Sequence, residues 1–464
     1  MFRNHANLRQ KITSQPFRRG NSVRIPCVLA IAGSDSGGGA GIQADIKTLA
    51  ALGVHGVCAV TAVTAQNTKG VTAVFELPPE FVAKQIDTVM EDFDVKFAKT
   101  GMLGNAAIVK TVGERAKKYR LGLVVDPVMV SATGAPLLRE DALAAIRVLL
   151  CGAELVTPNI FEAEKLSGVK IRSKQDMKRA AREIAKFGPK AVLIKGGHLK
   201  TKAVTDLLYA GGRIEEFSGP RITDEPTHGT GCSLSSAITA ELAKGADICT
   251  SVAKAREFLA QAIQGRLKVG GGVMPINQMS ELLRCAEVGR AIGGVWKAAQ
   301  RLTKNPKFVG LIPEVGVNIV MALPGAKDRS QVVGLSGRII RAGGRAVMTG
   351  FPELGGSEHM ANVVLTAIQH DPRIRSAMNI KYSPENLRAC RELGLTVASF
   401  DRAKEPKGVK TMEWGTAQAI KKIGRVPQVV FDKGSVGKEA MIRLLGATPD
   451  EVASLALKVA EKTG

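Results

Sequence analysis

The sequence has few aromatic residues: they make up 4% of its 464 residues and include two Trp and three Tyr. Proteins that bind single-stranded nucleic acid usually stack the bases on aromatic side chains along a basic groove. The chain is basic, with 65 Lys and Arg against 42 Asp and Glu, but it has few rings for such a surface. The net charge of +23 therefore indicates anionic partners, and the composition disfavours nucleic acid among them.

Paired cysteines and long apolar runs are also missing. The seven cysteines are scattered and contain no CxxC pair, which argues against a disulfide framework or a zinc site and favours a reducing cytoplasm. No apolar run approaches the length of roughly 18 residues that a membrane-spanning helix needs. The first 25 residues contain six Lys or Arg and no acid. We expect a disordered basic leader there; a transit peptide or an upstream-assigned start are the alternatives.

The length exceeds what one hydrophobic core usually organises, so we expect at least two domains. From residue 26, short apolar runs alternate with helical stretches, which predicts an α/β fold with a largely parallel sheet. These runs are Val28–Ala32, Val57–Val63, Leu123–Val125, Leu155–Val156 and Ala191–Ile194. The glycine-rich stretch Val269–Pro275 precedes a new amphipathic segment, so we place one domain at 26–278 and a second at 279–464.

The second part also mixes strands and helices and predicts a separate α/β domain. Its predicted strands are Val315–Met321, Ala346–Met348, Val397–Ser399 and Val429–Phe431, and its predicted helices include Met360–Gln369 and Pro384–Leu393. Charge is uneven between the parts: residues 26–275 carry 31 basic against 25 acidic side chains, and residues 276–464 carry 28 against 17. The second domain is therefore the more basic one.

Two glycine-rich elements in the first part are typical of phosphate-binding turns. The first, Gly33–Gly41, joins an apolar strand to the predicted helix Ile42–Leu52, but it is neither a Walker A loop nor a dinucleotide fingerprint. The second, Thr227–Ser233, precedes the predicted helix Leu234–Lys244 and can present several N–H donors to a phosphoryl group. Cys232 lies at this helix start, where we expect a lowered thiol pKa and a role as base or proton relay. Tight structural turns and a small packing cysteine are the alternatives.

These elements belong to an ordered set of motifs. The set comprises Ala30–Asp35, Gly41–Thr48, Thr64–Thr68, Lys99–Leu103, Asp126–Met129, Thr157–Asn159, Lys195–His198 and His228–Cys232. In this order the set closely resembles the hydroxymethylpyrimidine and hydroxymethylpyrimidine-phosphate kinases of thiamine biosynthesis, over about 28–277. The resemblance implies a ribokinase-like αβα sandwich, ATP with Mg²⁺, and two successive phosphorylations.

The resemblance also implies roles for individual residues. The pyrimidine pocket would be lined by Gly33, Asp45, Gln66 and Met102. The nucleotide would be bound by Asn159 and Lys195, and the metal by Asp126 and Glu162. The anion hole would be formed by Gly229, Gly231 and Cys232. Each of three residues alone also has a purely structural explanation. Asp45 could be an acid in the first turn of a helix, Met102 a core residue, and Asp126 a turn former before a proline.

Three clusters stand out in the second part: Ser336–Arg345 with three arginines, Gly355–Met360 with Ser376–Tyr382 beyond its helix, and Phe431–Glu439 with two lysines. Arginine forks bind phosphate oxygens well, although solvated basic loops are the alternative reading. The region resembles ThiN-type thiamine-phosphate synthase domains over about 285–464. The resemblance implies Arg338 and His359 as catalytic residues, Asn379 and Lys438 as substrate-binding residues, and Asp432 as a substrate or magnesium ligand.

We therefore expect a bifunctional enzyme that makes the pyrimidine diphosphate and condenses it with thiazole phosphate, releasing pyrophosphate. One alternative is an active kinase with a non-catalytic, ligand-sensing second domain; another is a basic nucleic-acid-binding protein, which predicts steep salt dependence. We expect small-molecule pyrimidine and thiazole phosphates as partners, with no nucleic acid and no membrane. We further expect a cytoplasmic homo-oligomer.

Overall fold

The computed structural model of the chain describes residues 24–131, 133–139, 141–199, 203–406, 408, 411–435 and 437–463. The predicted leader therefore lies outside the described residues, except for Arg24 and Ile25. The chain divides into two compact units, residues 1–282 and 283–464. Among the described residues, no helix is both long and apolar enough to cross a membrane.

The first unit alternates strands with helices along the chain. In chain order its elements are β1 (Cys27–Asp35), α1 (Gly41–Ala51), β2 (His55–Asn67), β3 (Gly70–Glu76), α2 (Pro79–Asp92), β4 (Val95–Thr100), α3 (Ala106–Lys118), β5 (Gly122–Val125), α4 (Ala142–Leu149), β6 (Leu155–Val156), α5 (Ile160–Ser167), α6 (Lys174–Ala185), β7 (Ala191–Ile194), β8 (Ala203–Ala210), β9 (Arg213–Pro220), β10 (Thr227–His228), α7 (Thr230–Ala243), α8 (Ile248–Gln264) and β11 (Met274–Pro275).

Nine of the described strands form one sheet in the order β3-β2-β1-β4-β5-β6-β7-β8-β9. The strands from β2 to β7 in this order pair in parallel, and β3, β8 and β9 add antiparallel edges. Successive side chains point to opposite faces: in β5, Leu123 and Val125 pack in the core on one side, and Val124 packs with α7 and α8 on the other. Burial on both faces explains the continuous apolar runs.

The sheet positions the site through its parallel strands. Their carboxyl ends meet at one edge, where Asp35, Gln66, Asp126 and Lys195 end or directly follow strands. The strand order in the sheet reverses direction at β1, because β2 lies on one side of β1 and β4 lies on the other. Open α/β sheets bind ligands at such reversal points, outside the carboxyl ends.

The second unit contains, in chain order, α9 (Ser280–Lys304, which spans the boundary), β12 (Ile319–Ala322), β13 (Val332–Leu335), β14 (Ile339–Ala342), β15 (Arg345–Met348), β16 (Pro352–Leu354), α10 (Glu358–His370), β17 (Ser376–Lys381), α11 (Pro384–Glu392), β18 (Val397–Ser399), α12 (Thr411–Ile423), β19 (Val429–Asp432), β20 (Met441–Gly446) and α13 (Pro449–Thr463). Its described main sheet has the order β16-β13-β12-β17-β20-β19-β18. All pairs are antiparallel except β18 with β19. Helices α9, α11 and α13 cover one face, and α10 and α12 cover the other.

The predicted α/β architecture of both units is confirmed, with two local corrections. Helix α7 begins at Thr230, four residues before the predicted start, so Cys232 lies within its first turn. The predicted strand Val315–Met321 begins only at Ile319. The segment before Ile319 is a turn because Gly316 adopts φ +77°, which L side chains rarely adopt.

Candidate active sites

A buried ion pair lies beneath the pyrimidine side of the first unit. Lys99, on β4, donates to both carboxylate oxygens of Asp45 at 2.9 and 3.0 Å, and Ser236 Oγ donates to the same carboxylate at 2.7 Å. Burial disfavours the Lys99 cation, but the charges of Asp45 and Asp126 and the hydrogen bond to Asp45 favour it, and the pKa of Lys99 is raised. Asp45 was predicted to line the pocket, but its side chain is fully buried and saturated by these partners. Its role in the structure is to hold Lys99.

Gly33 and Met102 are brought together as predicted for neighbours in one pocket. A Cβ at Gly33 would lie 3.0 Å from Met102 Sδ, so a larger residue there would require the methionine side chain to move. Gly41 shows the same close approach, because a Cβ there would overlap the carbonyl oxygen of Gly33. The first glycine element thus folds back on itself at the end of β1.

Gln66 is linked to the first glycine element through His228. The Gln66 amide lies 3.0 Å from His228 Nε2, and the same nitrogen lies 3.0 Å from Asp35 Oδ2. Burial favours the neutral Asp35 acid, but hydrogen bonds from His228 and from the amides of Ala40 and Gly37 outweigh it and lower the pKa of Asp35. This network ties the first glycine element to the second.

The phosphate side is built around Asp126 and Lys195. Lys195 Nζ donates to Asp126 Oδ1 at 2.9 Å, and a Cβ at Gly231 would lie 3.4 Å from Lys195 Nζ and 3.5 Å from Asp126 Oδ2. Burial disfavours the Lys195 cation, but Asp126 and Glu162 outweigh it and raise the pKa of Lys195. The predicted metal, nucleotide and anion-hole residues therefore meet in one place.

Asn159 and Glu162 form a capping box at the start of α5. Asn159 Oδ1 accepts from the Glu162 amide at 3.0 Å, and Glu162 Oε2 accepts from the Asn159 amide at 2.8 Å. Burial raises the pKa of Glu162 to about 7, against the opposing charge of Lys195. Buried carboxylates suit Mg²⁺, which usually takes one or two of them together with substrate phosphates. Asp126 and Glu162 fit that donor set, although the described residues contain no cluster of three His, Cys, Asp or Glu.

The predicted anion hole lies at the start of α7. Gly229 adopts φ +86°, and a Cβ there would overlap the carbonyl oxygen of Gly39, so the two glycine elements touch at this point. The free N–H groups of the first helical turn, which contains Gly231 and Cys232, carry partial positive charge. This arrangement can hold a transferring phosphoryl group.

The expectation of a lowered Cys232 pKa is wrong. Burial raises the pKa of this thiol to about 11, although the charge of Lys99 opposes the shift. The helix terminus does not overcome the cost of placing a thiolate in a buried site next to Asp45 and Asp126. Cys232 is therefore a neutral thiol at physiological pH.

The neutral thiol should react slowly with iodoacetamide, since the thiolate is the nucleophile. At pH 7.5 we expect Cys232 to be alkylated much more slowly than the exposed Cys151, as followed by mass spectrometry of the labelled peptides. Alkylation of Cys232 as fast as that of Cys151 would contradict the raised pKa.

In the second unit, Arg338 is held by the turn before β12. Its guanidinium donates to the Val315 carbonyl, its amide donates to Thr349 Oγ1 at 3.1 Å, and its Cβ and Cδ pack on Gly316. Asn379, predicted to bind substrate, is buried behind this turn. Its Oδ1 accepts from the Asn318 amide at 2.8 Å and its Nδ2 donates to the Gly316 carbonyl at 2.9 Å. Asn379 therefore positions the turn that holds the Arg338 side chain.

The Lys438 loop reaches the same turn. Glu439 accepts from the amides of Glu314 and Val315 at 3.0 and 3.2 Å, and the exposed Lys438 lies 3.8 Å from Glu405. His359 is exposed in the first turn of α10, and a Cβ at Gly334 would lie 3.1 Å from the Ser357 Cβ at that helix start. The structure gives no direct contact between His359 and Arg338.

Asp432 does not fit a metal ligand. Its fully buried carboxylate accepts from Arg402 at 2.6 Å and pairs with Arg443 at 2.8 Å, and it also accepts from the Gly434 amide at 2.9 Å. Two guanidinium groups on one carboxylate leave an excess positive charge that repels a cation. These ion pairs argue against the predicted metal role, and in the structure Asp432 joins the loops that follow β18 and β19.

Removing this carboxylate should destabilise the second unit. We expect Asp432→Asn to cost about 3–5 kcal/mol, because it leaves two buried guanidinium groups without their counterion; this corresponds to a Tm lower by roughly 6–20 °C in calorimetry. Asp371→Asn, which removes the half-buried partner of the exposed Arg373, should change Tm little. An Asp432→Asn chain as stable as the Asp371→Asn chain would contradict the assignment.

The ion pairs of Asp432 with Arg402 and Arg443 also predict that the second unit loses stability in acid. Burial favours the neutral acid, but the hydrogen bond from Arg402 and the charges of Arg443 and Arg402 outweigh it and lower the pKa of Asp432. Its stabilising contribution is complete above the ordinary Asp pKa of about 3.9 and is lost as the pH falls through the lowered folded value.

Sequence reasoning missed Lys99, His228 and Asp35 as members of the site. Lys99 carried a usable signal, because a lysine within an otherwise buried strand requires a counterion. Asp206 was also missed: it is buried on β8, accepts from the Gly196 amide at 2.8 Å and pairs with Arg256, so it fixes the turn after Lys195.

Comparison with known protein families agrees with this geometry. The phosphomethylpyrimidine kinase family model matches residues 35–277, and the thiamine-phosphate synthase ThiN model matches residues 295–458. The bifunctional thiamine biosynthesis protein ThiDN of Methanocaldococcus jannaschii is 37% identical over 426 residues, covering 92% of this chain and 96% of its own. The chain belongs to this bifunctional thiamine-biosynthesis family. It is an enzyme that combines a hydroxymethylpyrimidine and phosphomethylpyrimidine kinase with a thiamine-phosphate synthase, as the resemblance predicted.

The first unit also has single-function relatives. The hydroxymethylpyrimidine/phosphomethylpyrimidine kinase of Streptomyces coelicolor is 47% identical over 256 residues, which are 55% of this chain and 95% of its own. Among solved structures, an ADP complex of Bacillus subtilis pyridoxal kinase matches with a TM-score of 0.52 and 36% identity, covering 56% of this chain and 99% of that one. A Staphylococcus aureus pyridoxal kinase in complex with AMP-PCP and pyridoxal also gives 0.52 and 36%, over 55% and 94%. The ribokinase-like fold of the first unit and its use of ATP follow.

Proposed function

We propose that the first unit transfers phosphoryl groups from ATP with Mg²⁺, first to 4-amino-5-hydroxymethyl-2-methylpyrimidine and then to its monophosphate. The second unit then joins the diphosphate to thiazole phosphate and releases pyrophosphate. The observation that carries this proposal is the identity to a bifunctional protein along 92% of the chain, through both units. The cytoplasmic location and the homo-oligomer remain predictions.

In the kinase, Asp126 and Glu162 would hold Mg²⁺, which neutralises charge on the phosphates when bound. Lys195 pairs with Asp126 and would contact the phosphates from the same side. The N–H groups after Gly229 would donate hydrogen bonds to the oxygens of the transferring group, since phosphoryl transfer needs mainly positioning and charge neutralisation. Cys232, with its raised pKa, would line this hole as a thiol and would not serve as a ready base.

In the synthase, Arg338 would stabilise the negative charge that develops on the leaving pyrophosphate. Its exposed position against a turn that Asn379 and Glu439 fix supports this role. Lys438 would contact the same anion, and His359 would orient substrate or carry a proton.

A coupled assay with the pyrimidine, ATP, Mg²⁺ and thiazole phosphate tests the proposal. We expect thiamine phosphate to form in proportion to the pyrimidine consumed. If the diphosphate accumulates and no thiamine phosphate appears, the synthase proposal fails and the ligand-sensing reading of the second unit gains support.

Pyridoxal is a second candidate substrate for the first unit, because the solved structures cited above are pyridoxal kinases. The same assay with pyridoxal in place of the pyrimidine measures the ratio of the two kcat/KM values. A ratio in favour of pyridoxal would make vitamin B6 phosphorylation the main activity of this unit.

A further inference from the structure

His228 lies at the centre of a hydrogen-bond network whose protons can be assigned one by one. Its side chain is 10% exposed, and its ring is packed so closely on Gly39 that a Cβ there would overlap His228 Cδ2. One ring atom, Nε2, faces both Asp35 Oδ2 and the Gln66 amide, each at 3.0 Å. That single nitrogen can either donate a hydrogen bond or accept one. The protonation state of Asp35 therefore limits which atom of the Gln66 amide can face it.

Asp35 decides the state of this nitrogen. Its Oδ1 accepts from the Gly37 amide at 2.8 Å, and its Oδ2 accepts from the amides of Gly39 and Ala40 at 3.0 and 2.7 Å. These donors favour the ionised carboxylate, which can only accept. His228 Nε2 must therefore carry a proton, and a protonated ring nitrogen has no lone pair to accept from an amide N–H.

It follows that Gln66 presents its oxygen to His228. The structure has Gln66 Nε2 on the His228 side and Oε1 on the Thr64 side. Proton counting requires the reverse, and amide orientations are assigned from such networks because the two ends of the amide have nearly the same shape.

The other end of the amide leads independently to the same orientation. Thr64 Oγ1 lies 3.0 Å from the Ser34 carbonyl oxygen, which can only accept, and 3.2 Å from the Gln66 amide. A hydroxyl has one proton, and that proton is used by Ser34. Thr64 must accept from Gln66, so the amide atom facing Thr64 is Nε2.

We propose that Asp35 and His228 are positioning residues that set substrate specificity by fixing the Gln66 amide with Oε1 toward His228 and Nε2 toward Thr64. This inference rests on the proposed pyrimidine kinase activity. The fixed amide leaves one N–H and one oxygen lone pair free for the substrate, and it fixes which side of the amide carries the donor and which carries the acceptor. A 4-aminopyrimidine offers the matching edge, an amine donor beside a ring-nitrogen acceptor. A 4-oxopyrimidine, with a carbonyl acceptor beside a ring N–H, offers the reverse order and is rejected.

Nitrogen-15 NMR of the histidine-labelled full chain tests the proton assignment without any enzyme assay. The His228 signal is identified by its loss in His228→Gln. We expect a proton on Nε2, as the neutral Nε2–H tautomer or as imidazolium. An Nδ1–H tautomer with a bare Nε2 would overturn the proposal. This result does not depend on whether the chain phosphorylates pyrimidines.

Kinetics of the double variant Thr64→Val, His228→Gln test the specificity. The valine has no hydroxyl that must accept from Gln66, and the amide introduced at position 228 can donate to Asp35 while its oxygen accepts from Gln66, so both orientations of the Gln66 amide become possible. We expect the preference for the 4-amino substrate over its 4-oxo analogue, as a ratio of kcat/KM values, to fall at least about tenfold. The change should lie mainly in the KM for the pyrimidine, with the KM for ATP unchanged.

The control is Asp87→Asn, which removes a carboxylate that pairs with Arg115 and Lys118 on α3. Asp87→Asn should keep the full preference. A folded double variant Thr64→Val, His228→Gln that also keeps it would overturn the proposal, and if the double variant does not fold, the tautomer measurement decides. Absence of pyrimidine phosphorylation by the unchanged protein would instead refute the proposed function.

Discussion

Gly229→Ala should reduce the kcat of pyrimidine phosphorylation by about 10²–10³-fold, the effect of losing an oxyanion-type donor. Gly229 has φ +86°, and an added Cβ would overlap the carbonyl oxygen of Gly39. The start of α7 must move to relieve that overlap. Its N–H groups then no longer point at the proposed position of the transferring phosphoryl group. Coupled ATP hydrolysis or direct product analysis measures the loss.

Gly245 provides the matched control. It follows α7 at the opposite end, with φ +92° and no atom within 4 Å of an added Cβ. Gly245→Ala therefore introduces the same backbone strain without the overlap, and its kcat should stay near that of the unchanged enzyme. Condensation of supplied pyrimidine diphosphate should be unaffected in both variants. Equal kinase loss in the two would show that strain, and not the anion hole, is responsible.

Arg338→Ala should reduce condensation by a similar factor, about 10²–10³-fold in kcat, and leave phosphorylation intact. The guanidinium donates to the Val315 carbonyl, and the side chain packs on Gly316. Its loss removes the proposed counterion of the charge that develops on the leaving pyrophosphate. Release of pyrophosphate from supplied diphosphate and thiazole phosphate gives the rate.

Arg373→Ala is the control, because Arg373 is an exposed arginine of the same unit that pairs only with its neighbour Asp371 among the described residues. This variant should keep both activities. If Arg338→Ala reduced phosphorylation as much as condensation, the assignment of one activity to each unit would be wrong.

Much of the kinase site was predictable because its motifs are local. The glycines of Gly33–Gly41 follow a strand and open a helix, and this order alone places them at the carboxyl edge of a parallel sheet. The glycines of Thr227–Ser233 open α7, but their strand β10 pairs with β11 outside that sheet, so only the fold places them beside the first element. The roles of Asp45 and Asp432 were not predictable in the same way. Their partners, Lys99 and the two arginines Arg402 and Arg443, lie on other strands and loops.

The sequence by itself determined the two α/β units, the order of the phosphate-binding turns and the concentration of basic charge in the second unit, because spacing and composition act locally. Only the tertiary structure decided the charge states. It raised the pKa of Cys232, converted Asp432 from a supposed metal ligand into an arginine counterion, and placed His228 between Asp35 and Gln66. The cost of burying a charge depends on which distant groups surround it, and the fold alone brings those groups together.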